Sequence, residues 1–316
     1  MISLRFKRLK IRENAITITR RIIQIFAFLI VNYLILEAIL PINLLSLEGI
    51  TKVLPILNSP RNPLSKGGGI LEYIFFSIAE GVFPFFLIAV LLLVLLFSNR
   101  FFCGWICPIG SIQDVCAAIP TKKRKFKIKT HKSLLNIKYV FLIITIIIIF
   151  PLGITKNANI LFYIDFKTQL GTFAQQPIGF FSLSEFIFVY FPYLVQNIFL
   201  PAQFGALEFG GYIVLIFYSL IIVLSVWYPR IYCRYICPFA AISSAVTDYS
   251  FLKLARNPVK CVGRSECGIC EDVCPKQIRI LDEPFNAFTG RGECNFCLEC
   301  KEKCPYDAVD IKFGNV

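Results

Sequence analysis

The sequence predicts an all-α membrane domain of four transmembrane helices, arranged as two pseudo-repeated hairpins, followed by a small cysteine-rich α+β domain. Three observations predict it. The 316 residues are 56% hydrophobic and only 17% charged, against roughly 25% charged in an ordinary soluble domain. Four apolar stretches, Ile22–Leu40, Ile70–Phe97, Tyr139–Ile154 and Gly211–Trp227, approach or reach spanning length, which is about 17 to 25 residues. Finally, RFFCGWICPIG at 100–110 returns as RIYCRYICPFA at 230–240, each copy at the exit of an apolar stretch.

Residues 1–21 form a basic N-terminus with seven Lys and Arg. Residues 99–135 hold eight more, whereas the segments expected on the outer side hold three (Lys52, Arg61, Lys66) and two (Lys156, Lys167). Lys and Arg collect in cytosolic loops, so the N-terminus, residues 99–135 and the tail are expected inside a multi-pass plasma-membrane protein. The net charge of +13 is then a solvated basic face touching anionic lipid, and nucleic acid is not expected as a partner. EAILPINLL lacks a small-residue cleavage site, so the first span is expected to remain as an anchor. FIFVYFPYLVQNIFL (186–200) is short and broken by Pro192, and it reads as an interfacial or re-entrant piece of the outer segment 155–209.

The membrane domain is expected over 22–256. The offset of 130 residues relates Arg100 to Arg230, Cys103 to Cys233, Ile106 to Ile236, Cys107 to Cys237, Pro108 to Pro238 and Ile112 to Ile242. Proline is tolerated at the first helical position, so Pro108 and Pro238 are expected to open short helices. After Pro108, residues Ile109, Ile112, Val115, Cys116 and Ile119 fall at helical spacing and predict an amphipathic helix. Cys103 and Cys107 would share one helix face, as would Cys233 and Cys237. Each second cysteine would stand at a helix N-terminus that favours thiolate. If the hairpins pack about a pseudo-twofold axis, the four thiolates converge. A further iron–sulfur or other metal site, a redox-active thiol set and structural cysteines are three open readings of these residues. Cys116 reads as a packed helix residue.

From Asn257 to the C-terminus the composition turns to Cys, Gly, Pro and charge. Cys294-x2-Cys297-x2-Cys300-x3-Cys304-Pro is the bacterial run for a 4Fe–4S cluster. A tight loop wraps three thiolates round one face of a cube, and the fourth cysteine lies too far round and ligates the other cluster. Two 4Fe–4S clusters are expected: Cys261, Cys267, Cys270 and Cys304 for the first, Cys294, Cys297, Cys300 and Cys274 for the second. The spacing departs from pattern at one point, where five residues separate Cys261 from Cys267 and Arg264 takes the ligand position. Structural zinc and disulfides are weaker readings, the latter because the cytosol is reducing.

Haem has no obvious ligands here, since the single histidine, His131, lies in the basic loop and reads as solvated, and the single methionine is Met1. No Cys-x-x-Cys-His attachment site, Walker A motif or dinucleotide fingerprint occurs. Glu37 and Glu80 lie near the outer ends of the first two spans, where a carboxylate could accept a proton released by quinol.

In its order of RFFCGWICP, RIYCRYICP and CGICEDVCP…CNFCLECKEKCP around apolar spans, the chain resembles the NapH/NosR family of polyferredoxin membrane proteins. With 12 residues after Cys304, it resembles the short NapH type most. The resemblance implies a bacterial-ferredoxin-like tail and an electron-transfer subunit between the quinone pool and a partner redox protein. An assembly factor for a metalloenzyme and a wire or scaffold subunit of a larger membrane complex are the alternatives.

Overall fold

The computed structural model describes residues 14–39, 46–59, 61–65, 68–171, 174, 178, 182–199 and 209–314. Most of the basic N-terminus (1–13), Leu40 and Lys66 lie outside the described residues. The chain divides into two compact units. One comprises 1–27, 92–107 and 242–316; the other comprises 28–91 and 108–241.

Of the four predicted spans, one helix is long and apolar enough to cross a membrane by itself among the described residues: Ile128–Ala158, 31 residues. It contains Tyr139–Ile154, the stretch that looked shortest, because its polar flanks continue the helix in both directions. The first stretch is a pair, Ala15–Val31 and Tyr33–Ile39, bent by 81° at Asn32. The second is also broken, into Ile70–Ala79 and Phe85–Ser98. Gly81 takes φ +73° there and Pro84 cannot donate to a preceding turn, so the apolar run is interrupted without losing hydropathy. The fourth stretch lies in a helix of 19 residues, Phe209–Trp227. Among the described residues, then, one helix stands as a candidate span, or two if the bent pair forms a single span.

The unit holding 108–241 is helical. Ile137–Ala158 packs against Ile70–Ala79, and Gly153 makes this possible: a Cβ there would run into the Ile78 carbonyl oxygen. Asn159 then caps the next helix, Ile160–Leu170, its side chain accepting from the Leu161 and Phe162 amides. Phe209–Trp227 packs on Pro108–Ala118. Large apolar side chains remain exposed, among them Phe86 (79%), Leu161 (76%) and Ile216 (67%). Such a surface is unstable in water and natural in lipid.

In the other unit the tail folds as α+β. Strand β1 (Leu252–Arg256) pairs antiparallel with β2 (Val309–Phe313), Leu254 opposite Ile311. The folded tail thus begins at Leu252, five residues before the composition shift at Asn257. Leu254, Ile280, Phe288, Phe296 and Val309 form its core together with Cys270, Cys294 and Cys300.

Candidate iron–sulfur centres

The tail contains two separate cavities, each walled by one of the expected quartets. Cys261, Cys267, Cys270 and Cys304 line the first. Cys274, Cys294, Cys297 and Cys300 line the second. Among the described residues, no three His, Cys, Asp or Glu gather closely enough to grip a single ion. The thiols stand as walls round a space, which suits a cube of iron and sulfide better than a lone zinc with thiolates at about 2.3 Å.

Local backbone explains how one short loop supplies three walls. Phe296 (φ 50°) and Leu298 (φ 60°) are left-handed, one between Cys294 and Cys297 and one between Cys297 and Cys300. Neither is glycine, so the conformation carries strain that the packed loop must hold. The residues after it turn away through a short helix, Glu299–Glu302, and Cys304 reaches the other cavity. Backbone amides also aim at sulfur: Ile278 N–H donates to Cys274 Sγ at 3.4 Å and Ala308 N–H to Cys304 Sγ at 3.3 Å. The five-residue gap after Cys261 folds as a helical turn, Gly263–Glu266, which keeps Cys261 on its cavity. Arg264, at the pattern's ligand position, pairs instead with Glu271 (2.9 Å) and Asp282 (2.6 Å).

Burial pushes the Cys270 thiol up to about 11, aided by the charge of Glu271. It pushes Cys294 up to about 12, against the pull of Arg100 and Lys276. Cys297 and Cys300 are pushed up as well, with Arg20 opposing at Cys297. Buried thiolates need a cationic partner to stay ionised, and cluster iron would supply it here.

The two Cys-x3-Cys-Pro copies are alike in secondary structure from Phe101 and Ile231 onward and different in partners. Pro108 and Pro238 do open helices, Pro108–Ala118 and Pro238–Thr247. The cysteine pairs, however, do not sit on continuous helices. Cys103 lies in Phe101–Trp105 and Cys233 in Ile231–Tyr235, and each helix stops before the second cysteine. The Phe102 carbonyl accepts from both Ile106 and Cys107 amides, and the Tyr232 carbonyl from both Ile236 and Cys237. A residue preceding proline is disfavoured in the α region, which is why both copies break at this point.

In the first copy, within the tail's unit, Trp105 Nε1 donates to the Phe296 carbonyl at 2.7 Å. Gly104 lies against Asn295, where a Cβ would drive into the carbonyl oxygen, and its own carbonyl accepts from Gln24 Nε2 at 2.9 Å. Gly104→Ala is accordingly expected to lower stability by about 1–3 kcal/mol through overpacking. Denaturant unfolding of the detergent-solubilised protein checks this, and an unchanged midpoint would dismiss the close approach.

In the second copy, within the other unit, Gln113 Nε2 donates to Cys233 Sγ at 2.9 Å and Gln113 Oε1 accepts from the Tyr232 amide. Asp114 takes Arg230 Nε at 2.7 Å and Nη2 at 2.6 Å. This corrects the expected amphipathic face: Ile109, Gln113 and Asp114 are buried, whereas Val115 and Ile119 are exposed. Cys116 is half-buried. His131 is half-buried and has a protein partner; its Nδ1 lies 2.7 Å from the Tyr235 hydroxyl, and Arg234 stacks on the Tyr235 ring. Cys103 and Cys107 thus belong to one unit, and Cys233 and Cys237 to the other.

Glu80 is bound by Lys156 and Lys167, both at 2.5 Å, and by the Tyr163 hydroxyl at 3.0 Å. Two ammonium groups compensate this carboxylate. Glu37 is half-buried in Tyr33–Ile39. Two acids the sequence reading passed over are more deeply placed. Glu185 is 2% exposed and is held by Ser59 and Arg61. Glu72, 6% exposed, borders a small, mostly apolar cavity that Asn58, Ser59 and Ser182 also line. Both sit in sequence among aromatic and aliphatic neighbours, and only the partners contributed by distant segments mark them.

Comparison with known proteins agrees with this chemistry. Residues 80–127 and 211–256 match the 4Fe-4S binding domain family, each match containing one Cys-x3-Cys-Pro copy. An uncharacterized protein of Methanocaldococcus jannaschii is 27% identical over 75% of this chain and 81% of its own length. Regulatory protein NosR of Stutzerimonas stutzeri is 25% identical over 67% of this chain but 25% of its own length. A ferredoxin of Methanothermococcus thermolithotrophicus is 32% identical over 53 residues, which cover 87% of it and 17% of this chain. No solved structure matches the chain.

Proposed function

We propose that this 4Fe–4S protein, which contains a ferredoxin segment and is related to NosR, is a membrane-bound electron-transfer subunit working between the quinone pool and a partner redox protein. The observation that carries the reading is the pair of cavities, each walled by its own four cysteines inside one compact unit. Iron–sulfur clusters bound there supply one-electron transfer; the protein's part is to hold the thiolates, shield them and set their surroundings. Each Cys-x3-Cys pair is read as metal-ligating, because each falls within a 4Fe-4S binding domain match.

Location at a membrane is supported by the 31-residue apolar helix and by the exposed aromatic and aliphatic surface. The start of Ala15–Val31 and the tail touch inside one unit: Thr17 bonds Glu302 and Lys303 bonds Asn14. Such contact supports placing both segments on one side of a membrane, and the Lys and Arg distribution favours the cytosolic side. For proton release from quinol, Glu37 remains a proposed acceptor, whereas Glu80, held ionised by Lys156 and Lys167, is poorly suited to take up a proton.

The test is reduction of the purified, oxidised protein by a short-chain quinol under anaerobic conditions, followed by loss of visible cluster absorbance. Reduction on the time scale of turnover is expected, with reoxidation by an added soluble redox protein. Clusters that answer to a low-potential soluble donor and never to quinol would remove the quinone pool from the reading.

A further inference from the structure

Two buried arginines from outside the tail reach the loop that carries Cys294, Cys297 and Cys300. Arg20, on the helix Ala15–Val31 and 1% exposed, donates from Nη1 to the Cys297 carbonyl at 3.0 Å and from Nη2 to Glu299 at 2.6 Å. Arg100, which opens the first Cys-x3-Cys copy and is also 1% exposed, donates from Nη1 to the Gly292 carbonyl and to Glu293, both at 3.0 Å. The first cavity has a different cation. Arg256 Nη1 lies 3.6 Å from Cys261 Sγ, and its Nη2 donates to the Leu281 and Glu283 carbonyls. The repeat does not duplicate this arrangement, since Arg230, the counterpart of Arg100, is spent on Asp114.

A guanidinium keeps its charge at any working pH. Out of reach of solvent, that charge is weakly screened and acts strongly on a group beside it. Each arginine lies between the ligand loop and a carboxylate. Neutralising it removes a positive charge and leaves Glu299 or Glu293 uncompensated, and both changes oppose an added electron.

We infer that Arg20 and Arg100 are positioning residues that set the reduction potential of the cluster held by Cys274, Cys294, Cys297 and Cys300, while Arg256 serves the cluster held by Cys261, Cys267, Cys270 and Cys304. The two clusters then have separately tuned potentials, and the one seated on the first Cys-x3-Cys copy is held up by charges the tail does not itself contain. The inference rests on the two-cluster reading above and adds to it which residues control which cluster.

The experiment is a redox titration of full-length protein followed by low-temperature electron paramagnetic resonance. Cys267→Ser and Cys300→Ser backgrounds assign the two signals. With Arg20→Gln or Arg100→Gln, the second cluster's reduced-to-oxidised ratio at fixed potential is expected to fall about tenfold, equivalent to about 59 mV for one electron. The first cluster should keep its potential. Arg256→Gln should show the opposite selectivity. Arg20→Lys and Arg100→Lys keep the charge and should stay near the parent value; if the Gln variants fail to load iron, these Lys variants decide. Equal movement of both clusters, no movement in loaded Gln variants, or Lys variants shifted as far as Gln would overturn the inference. Iron and sulfide sufficient for only one cluster in the parent protein would instead overturn the two-cluster reading, and the inference with it.

Discussion

Cys300→Ser in the full-length protein is expected to remove about half of the tail's iron and sulfide, and Cys267→Ser the other half. Cys300 lines only the second cavity and Cys267 only the first. The sharper comparison is Cys304→Ser. Cys304 belongs by spacing to the same run as Cys300, yet it lines the first cavity, so its loss should resemble that of Cys267. Iron and acid-labile sulfide on purified protein, with the resonance signals to identify the survivor, provide the measurement. If Cys304→Ser and Cys300→Ser deplete the same signal, the crossed ligation is wrong. Iron content unmoved by all three would refute the ligand assignment altogether.

The second large effect belongs to the other unit. Asp114→Ala should destabilise the protein by about 3–5 kcal/mol, because it leaves a buried guanidinium without its carboxylate. Arg230 and Asp114 are 1% and 5% exposed and meet through two hydrogen bonds, so neither has water to fall back on. Removing both together, as Asp114→Ala with Arg230→Met, should recover much of the loss, since a buried pair contributes little net against an apolar replacement. Thermal unfolding in detergent gives the comparison. A single substitution costing under about 1 kcal/mol would show that water reaches the pair.

The cysteine quartets were legible in the sequence because their partners are close in the chain. Spacings of two and three residues restrict how thiols can be displayed, and Cys304 crosses to the other site for the same local reason. The copies at 100–110 and 230–240 were legible too, down to the prolines that open the next helices. What spacing could not show was the break between the two cysteines of each copy, although its cause, the residue-before-proline restriction, is written in Cys107-Pro108 and Cys237-Pro238. Helical periodicity also misled at 108–119. It counts apolar residues, and the buried face here is carried by Gln113 and Asp114, which are satisfied by a segment more than 110 residues away.

Hydropathy likewise reported that 70–97 and 22–40 are apolar and said nothing of the bends at Gly81–Pro84 and Asn32, where backbone geometry rather than composition decides the path. The sequence by itself marked out the cysteine sets that line the two cavities, the 4Fe–4S character and the internal repeat, each through spacing or composition. The tertiary structure alone decided that Arg20 and Arg100 bond the loop carrying Cys294, Cys297 and Cys300, that Arg230 pairs with Asp114, and that His131 meets Tyr235. Each of those contacts joins residues 100 or more positions apart, and a charge or a lone histidine carries no mark of its partner until packing excludes water and leaves one group in reach.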